Sequence, residues 1–423
     1  MLMPVDTLSH LAETLIGSEI VKLGAEIKEQ IRQGRKIYNF TIGDFDSDIF
    51  PIPEALRNEI IKAYEAGCTN YPPADGIPEL RDAVARFLMS REGLEYAPSE
   101  ILIGAGGRPL IYAAYRTLID RDDKVIYPVP SWNNNHYVHF TEGRHVLIPT
   151  REENNFMPTA EEILPHLPGA RMLALCSPLN PTGTTFTKEN LEDICRIIVE
   201  ENRRRGPEEK KLYLLYDQIY WTLTFGDTVH YNPVSINPAM KEFTVFIDGI
   251  SKSFAATGVR VGWSMGPGKI IQKMKAINSH VGAWSPMAEQ HATAVYLSQD
   301  ESIDAYMMQF KSEISERLQK IYAGILQLQR EGFPVKAIAP QAAIYLTISI
   351  DLVGKKTAGG ETIADQKAVT AYLLSKAGLA IVPFSAFGAP AESCWYRLSV
   401  GTCRKEEIGE MLVKLKDALR HLS

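Results

Sequence analysis

Four chemically different side chains follow predicted β-strands, each close to the point where its strand ends. They are a tryptophan, an asparagine, an aspartate and a lysine: Trp132, Asn180, Asp217 and Lys252. In an open sheet of parallel strands, ligands bind at the edge formed by the carboxyl ends of the strands. We therefore expect these side chains to converge there. The convergence of an aromatic ring, an amide, a carboxylate and an amine predicts an active site.

Lys252 lies in the segment Ser-Lys-Ser-Phe-Ala-Ala-Thr-Gly-Val-Arg, residues 251–260, which is rich in small side chains. A lysine becomes a nucleophile when it is neutral, and burial or a neighbouring cation such as Arg260 lowers its pKa toward that state. The Arg260 guanidinium also suits a phosphate, because it presents a rigid fork of donors, and Ser251 adds a hydroxyl donor. A lone lysine after a strand is more often a surface residue. The small neighbours favour the reactive amine.

Asp217 ends an apolar strand, where a carboxylate requires a partner. A protonated ring nitrogen of a cofactor is such a partner, and a turn or N-cap aspartate is the alternative. Tyr220 reaches the same ligand if the chain turns helically, although a lone tyrosine is more often core. Asn180, in Asn-Pro-Thr-Gly, can donate to an oxygen on that ring or be a plain turn residue. Trp132 can stack on the ring or belong to the core or an interface.

Residues 104–110 read Gly-Ala-Gly-Gly-Arg-Pro-Leu and predict an anion site. A helix is expected to begin there, with Pro109 at its first position. Glycine lets the backbone amides of Gly106, Gly107 and Arg108 approach an anion at the helix N-terminus. Neither G-x-G-x-x-G nor G-x-x-x-x-G-K-[ST] occurs. A reactive amine, a carboxylate for a ring nitrogen and a phosphate turn together match the needs of pyridoxal 5'-phosphate (PLP), held as a Schiff base on the lysine.

Strands and helices alternate along the chain. Residues 172–176 and 212–216 are short apolar runs, as in buried parallel strands. Between them, Thr187 can cap a helix with one apolar face, and we interpret the charged run 203–211 as a solvated loop. Strand, helix and strand in this order predict a right-handed crossover and a parallel sheet. Two more strands are predicted at residues 124–127 and 243–248.

Composition and charge narrow the classes of function. The 423 residues favour two domains, and a net charge of −6 argues against nucleic acid as the main partner. We expect no secretory leader and no membrane span, because neither a basic-apolar leader nor a run of about 18 apolar residues occurs. The five scattered cysteines lack a CxxC pair and fit a reducing cytoplasm. His136 and His139 lack a third ligand nearby, so no metal is expected.

In this order, the motifs resemble the class I and II aminotransferases of PLP fold type I, which include the aspartate aminotransferases, over nearly the whole chain. The resemblance implies an α/β fold with a mostly parallel central sheet in a large domain, plus a smaller α+β domain. The implied division is an N-terminal segment, 1–49, that packs with the small domain, a large PLP-binding domain, 50–295, and a small C-terminal domain, 296–423. A helix around residues 303–328 is expected to link the domains.

The resemblance also implies a role for each site residue. Lys252, Asp217 and Tyr220 are the implied catalytic residues. The implied cofactor-binding residues are Gly106, Gly107, Arg108, Trp132, Asn180, Asp217, Tyr220, Ser251, Lys252, Arg260 and Tyr71 of the partner subunit. The implied substrate-binding residues are Gly43, Trp132, Asn180 and Arg397, with Arg108 as a further candidate. Arg397 would clamp the α-carboxylate, since a guanidinium binds a carboxylate through two parallel bonds. A homodimer follows from the shared site, and residues 279–286 are a second candidate interface segment.

Arg108 bears on the substrate. In aspartate aminotransferases that carry a lysine at this turn, the lysine helps bind the distal carboxylate, and Arg108 keeps that charge. Aspartate or glutamate is then the implied substrate. The alternative is that Arg108 only supports the phosphate or a surface ion pair. Gln218 stands where glutamate is common and Phe384 where glycine is common. Both leave the substrate open, because the loop at 382–388 helps shape the side-chain pocket.

The implied reaction moves an amino group from an L-amino acid to a 2-oxo acid. Lys252, once released by the substrate amine, would carry the proton between Cα and the cofactor as general base and acid, and two half-reactions predict ping-pong kinetics. Two alternatives stay open: another PLP reaction on the same scaffold, such as a C–S lyase or an amino-acid decarboxylase, and a non-enzymatic binding or regulatory protein. Arg397 and the order of the motifs favour transfer.

Overall fold

The computed structural model describes residues 8–17 and 19–423, so residues 1–7 of the predicted N-terminal segment lie outside the described residues. The strands are β1 (Tyr38–Asn39), β2 (Ile101–Gly104), β3 (Lys124–Val129), β4 (Arg144–Pro149), β5 (Ala170–Cys176), β6 (Tyr213–Asp217), β7 (Thr244–Gly249), β8 (Gly262–Met265), β9 (Val335–Ala337), β10 (Tyr345–Ile350), β11 (Leu379–Ala380), β12 (Val382–Pro383) and β13 (Trp395–Ser399).

The helices alternate with these strands. They are α1 (His10–Glu13), α2 (Glu19–Arg32), α3 (Glu54–Glu65), α4 (Pro78–Glu92), α5 (Gly107–Leu118), α6 (Asn134–Phe140), α7 (Ala160–Ile163), α8 (Lys188–Arg204), α9 (Pro233–Ile236), α10 (Ile250–Ser253), α11 (Gly268–Val281), α12 (Met287–Tyr296), α13 (Asp300–Arg330), α14 (Gln366–Ala377) and α15 (Glu407–Arg420). In the part of the chain that the structure describes, no helix combines the length and apolar character that a membrane span requires.

A seven-stranded sheet organises the first part of the chain, in the order β2-β8-β7-β6-β5-β3-β4. Strand β8 runs antiparallel to both of its neighbours, and the other pairs are parallel. The predicted strands fall within or beside β3, β5, β6 and β7. This confirms the expected α/β fold with a mostly parallel central sheet.

Both faces of this sheet are covered, which explains why its strands read as continuous apolar runs. On β5, Leu173 and Leu175 belong to one apolar cluster, whereas Met172 and Ala174 belong to the cluster on the opposite face. Thr187 caps α8 as predicted, because its side chain accepts a hydrogen bond from the amide of Asn190. The α8 crossover leads from β5 to β6, which are parallel neighbours.

The second sheet is smaller and antiparallel, in the order β12-β13-β10-β9, and a separate pair joins β1 to β11 in parallel. Helix α13 reaches both apolar cores: Ile303 packs in the core of the large sheet, whereas Phe310 and Leu328 pack in that of the small sheet. The division of the chain at residues 49 and 295 stays a prediction.

Two local predictions were wrong. Helix α5 begins at Gly107 rather than at Pro109, so Pro109 is its third residue. The charged run at 203–211 is not wholly a solvated loop. Its first two arginines lie in α8, and the Arg205 side chain is buried and donates to Glu201 Oε1 at 2.9 Å and to the Leu167 carbonyl at 3.0 Å. These acceptors satisfy the donors of the buried guanidinium.

Candidate active site

A cavity of about 530 Å³ opens at the carboxyl edge of the large sheet and extends to β10 and β13 of the small one. Its volume lies in the range of small-molecule sites. The predicted site residues that line it are Gly43, Gly107, Arg108, Trp132, Asn180, Asp217, Tyr220, Ser251, Lys252, Arg260 and Arg397. The structure therefore brings together side chains that span more than 350 positions of sequence.

Lys252 points into the cavity from the one-turn helix α10. Its Nζ donates to the carbonyl of Gly43 at 2.6 Å. Burial is the main reason that the pKa of Lys252 falls to about 8; the carboxylate of Asp44 opposes this shift, and the charges of Arg397, Arg108 and Arg260 reinforce it. A lysine with this pKa has a sizeable neutral fraction near neutral pH, as a nucleophilic amine requires.

Asp217 is the last residue of β6 and faces the cavity. Burial raises the pKa of its carboxyl to about 6, and the amide of Ile219, which donates to Oδ1 at 3.1 Å, partly offsets that rise. Within residues 8–17 and 19–423, no cationic side chain forms an ion pair with Asp217. A largely buried carboxylate without a cation fits a ligand that brings one, as the protonated ring nitrogen of PLP does.

The N-terminus of α5 and Arg260 form the anion end of the cavity. Gly106 has a φ of 83°, and a Cβ there would lie 2.3 Å from Nη2 of Arg260, so only glycine lets the guanidinium sit against this turn. The Gly106 amide donates to the Gly104 carbonyl at 2.7 Å, which leaves the first-turn amides of Gly107 and Arg108 for a ligand. Free amides at a helix N-terminus beside a guanidinium suit the phosphate of PLP.

Arg397 enters the cavity from β13 with its guanidinium between the rings of Tyr345 and Phe387, at 4.8 and 4.9 Å from their centroids. It donates to the Thr41 carbonyl at 2.6 Å and to Oδ1 of Asn180 at 3.1 Å. Because the Asn180 oxygen faces the arginine, its amide nitrogen remains available as a donor. This geometry fits an arginine that is held in place to receive a carboxylate.

Arg108 and Trp132 lie together at the side of the cavity. The guanidinium carbon of Arg108 is 5.4 Å from the centroid of the Trp132 ring, and the Arg108 side chain is exposed. Among the described residues, Arg108 has no carboxylate partner. The surface ion pair considered as an alternative for Arg108 is therefore absent among the described residues. The guanidinium is free to meet an anionic ligand.

Some residues singled out in the sequence lie outside the cavity. Tyr71 is 85% exposed and packs edge-on against Trp284, with ring centroids 5.2 Å apart. Phe384 is fully buried against Phe156 and does not line the cavity, so its influence on the substrate pocket is indirect. Gln218 is also fully buried and donates to the Glu92 carboxylate, on the side of the strand away from the ligand space.

Sequence reasoning missed several residues of the site. Asp44, whose Oδ1 accepts a hydrogen bond from Thr257 at 2.6 Å, directly follows the predicted site residue Gly43, and that adjacency was a signal. Tyr345 carried no such signal, because it comes from the small sheet and no spacing links it to Lys252. Among the described residues, no group of three or more His, Cys, Asp and Glu side chains is placed to hold a metal ion.

Comparison with known proteins agrees with this geometry. Residues 35–415 match the family model of the class I and II aminotransferases. The chain is 30% identical over 389 residues to an aspartate aminotransferase of Bacillus sp. (strain YM-2), covering 91% of this chain and 93% of that protein. It is 30% identical over 386 residues to the aspartate/prephenate aminotransferase of Thermus thermophilus, covering 90% and 92%. A crystal structure of the Rhizobium meliloti aspartate aminotransferase superposes with a TM-score of 0.89 at 27% identity, covering 99% of this chain and 100% of that one.

The fold and the cavity define a PLP-dependent enzyme of fold type I. The chain belongs to the family of class I and II aminotransferases and is a transferase of amino groups.

Proposed function

We propose that this aminotransferase acts on a dicarboxylic amino acid, aspartate or glutamate. Three arginines line the cavity, and Arg260 is assigned to the phosphate. The observation that carries the proposal is that two more remain for the substrate, Arg397 and Arg108, of which Arg108 has no carboxylate partner among the described residues. Arg397 would bind the α-carboxylate that every amino acid has. Arg108 would bind a second carboxylate, which only some have. The names of the relatives, aspartate and aspartate/prephenate aminotransferase, support this choice.

Each side chain has a proposed task in the reaction. When bound, PLP supplies the sink for the electrons of the bond broken at Cα. Asp217 holds a proton on the ring nitrogen, since its carboxylate is stabilised there by a cation. Asn180 and Tyr220 donate to the ring oxygen, and Trp132 stacks on the ring. Lys252 accepts the Cα proton as general base and returns it as general acid, within a ping-pong cycle.

The phosphate has its own proposed set of donors. The backbone amides of Gly107 and Arg108 meet it at the start of α5, next to Gly106, and Arg260 and Ser251 complete the set. These donors belong to three separate segments beside the large sheet, and together they would hold the cofactor by its phosphate. Asp217 lines the same cavity and would then meet the ring nitrogen.

We also propose that the working form is a cytoplasmic homodimer, with the domain division at residues 49 and 295. Apolar side chains lie together around Tyr71: Tyr64, Tyr71, Trp284 and Met287 line one surface pocket, in which Tyr64 is 51% exposed and Trp284 and Met287 are half-buried. An exposed apolar group of this kind is typical of a protein–protein interface. A second copy of the chain would cover it and take Tyr71 to its own cofactor phosphate.

A single substitution tests the substrate. Arg108→Ala should lower kcat/KM for aspartate by about 10- to 100-fold, the loss expected for one charge-assisted contact, and should change that for alanine or leucine far less. Rates are measured against 2-oxoglutarate with a panel of amino acids. Arg116→Ala is the control, because Arg116 is exposed on the same helix and, among the described residues, its side chain donates only to the Phe140 carbonyl, away from the cavity. Equal losses for aspartate and leucine would show that Arg108 serves the phosphate alone.

A further inference from the structure

Tyr345 is a fully buried residue at the start of β10, and its hydroxyl reaches the cavity. The Tyr345 and Tyr220 hydroxyl oxygens are 2.6 Å apart, and either can donate to the other. Among the described residues, Tyr345 Oη forms no other hydrogen bond. The two rings meet at an interplanar angle of 67° with centroids 5.5 Å apart, so the pair is packed as well as bonded.

The same side chain touches two further parts of the site. Its ring lies 4.8 Å from the guanidinium of Arg397, in a cation–π contact. Its hydroxyl lies where a Cβ on Gly43 would come within 2.9 Å. One residue of the small sheet therefore meets Tyr220, Arg397 and the loop whose carbonyl accepts from Lys252.

Both tyrosines keep their protons throughout the working pH range. Burial is the main reason that the pKa of Tyr220 lies well above the usual value, and it also raises the pKa of Tyr345, although the nearby Arg397 opposes the rise for Tyr345. Each hydroxyl thus has one proton to donate and lone pairs to accept with. In the hydrogen bond between the two hydroxyls, one hydroxyl donates its proton to the oxygen of the other. The proton of the accepting hydroxyl is then free to point elsewhere.

Where that free proton points decides what Tyr220 can do. If Tyr220 donates to Tyr345, it has no proton left for a ligand. If Tyr345 donates to Tyr220, the Tyr220 proton points into the cavity. An anionic oxygen on the bound cofactor selects the second arrangement, because a hydrogen bond to a charged acceptor is stronger than one to a neutral hydroxyl.

We propose that Tyr345 is a positioning residue: by donating to Tyr220 it directs the Tyr220 proton toward the ring oxygen of the cofactor and strengthens that hydrogen bond, while its ring holds Arg397. Hydrogen bonds in a chain polarise one another, so a Tyr220 that accepts is a better donor. The inference rests on the proposed assignment of Tyr220 to the cofactor.

The test removes only the hydroxyl. The absorbance of the bound cofactor changes with pH as the proton shared by its ring oxygen and the lysine imine is lost. In Tyr345→Phe, the midpoint of this change should rise by roughly 0.2 to 0.6 pH unit, because a weaker donor leaves the ring oxygen and its shared proton more tightly associated. Tyr396→Phe is the control. Tyr396 is fully buried in the adjacent strand β13, opposite Ile348, and does not line the cavity.

A double variant separates this inference from the assignment beneath it. Tyr220→Phe should raise the midpoint further than Tyr345→Phe, and adding Tyr345→Phe to it should change the midpoint no more. If Tyr220→Phe leaves the midpoint unchanged, the assignment of Tyr220 to the cofactor is wrong. If Tyr220→Phe shifts it and Tyr345→Phe does not, or shifts it equally in both backgrounds, the role of Tyr345 is refuted.

The ring of Tyr345 has a separate readout. Tyr345→Leu removes the contact with Arg397 as well as the hydroxyl, so KM for the amino acid should rise several-fold beyond that of Tyr345→Phe. Thermal unfolding of each variant with bound cofactor verifies the fold. A KM for Tyr345→Leu equal to that of Tyr345→Phe would overturn the claim that the ring holds Arg397.

Discussion

At the residue scale, Asp217 is a largely buried carboxyl whose hydrogen-bond donor is the backbone amide of Ile219. Its pKa of about 6 in the folded protein exceeds the ordinary value of 3.8. The unfolded chain therefore loses this proton at lower pH than the folded chain does. Stability is lost as pH rises from about 4 to about 6, and the loss persists above that range. The carboxylate that suits the ligand therefore lowers the free energy of unfolding of the cofactor-free protein.

The matching prediction concerns the cofactor-free protein. Asp217→Asn should increase the free energy of unfolding by about 3 kcal/mol at pH 7.5 and by about half as much at pH 5, because asparagine does not titrate. Urea unfolding at the two pH values measures this difference. The same variant should bind PLP more weakly, since it has no charge for the ring nitrogen. A gain that does not change with pH would mean that the charge of Asp217 is not its source.

The residues that sequence could predict share one property. Lys252, Asp217 and Asn180 each follow an apolar strand directly, so their common location follows from local pattern and the rule of parallel sheets. Tyr345 has no such relation, because the packing of a distant antiparallel sheet against the cavity cannot be read from spacing. For this reason the sequence predicted the residues that meet at the edge of the large sheet, but not the tyrosine that contacts Tyr220 and Arg397.

At the scale of elements, the start of α5 shows how glycine misled the prediction. The pair Gly106-Gly107 was interpreted as loop before a helix, yet Gly107 is already the first helical residue. Glycine is a poor helix former in general, but tertiary contacts require small residues here. A Cβ on Gly106 would meet the Arg260 guanidinium, and one on Gly107 would lie 3.2 Å from the Ile247 side chain. Tertiary contact decided the start of the helix, and propensity did not.

Substitution of Gly106 should separate cofactor binding from folding. In Gly106→Ala, the new Cβ would lie 2.3 Å from Arg260 Nη2 in a backbone with positive φ, so the guanidinium must move. The Kd for PLP should rise by about tenfold or more, as measured by absorbance titration. Gly268→Ala is the control, because it lies at the start of α11 with no atom within 4 Å of its Cβ. Equal affinity in both variants would argue against the anion site at α5.

At the scale of the whole molecule, the proposed dimer makes a prediction that depends on which chain supplies Tyr71. Lys252→Ala and Tyr71→Ala should each lower activity severely. In a mixture refolded or exchanged together, half of the dimers are hybrids, and each hybrid has one complete site. Activity should recover to about a quarter of the unmodified level per chain.

Two observations would contradict the shared site. One is a Tyr71→Ala variant with unchanged affinity for PLP. The other is a mixture whose activity equals the average of its components, although an affinity tag on one variant recovers the untagged variant with it. Either result would leave Tyr71, now 85% exposed, as a surface residue with a purely structural contact to Trp284.

The hydrogen bond between Arg397 and Asn180 has a consequence beyond recognition. Arg397 belongs to the small antiparallel sheet and Asn180 to a loop that follows a strand of the large sheet. The hydrogen bond between them therefore also connects the two sheets. In the proposed role of Arg397 as the carboxylate-binding residue, linkage is reciprocal: whatever stabilises the contact between the two sheets would strengthen carboxylate binding, and a bound carboxylate would stabilise that contact by the same free energy. A bound amino acid would then stabilise the contact between the two sheets for as long as it stays bound. Slower hydrogen exchange along β13 would report the same interaction that kinetics reports as KM.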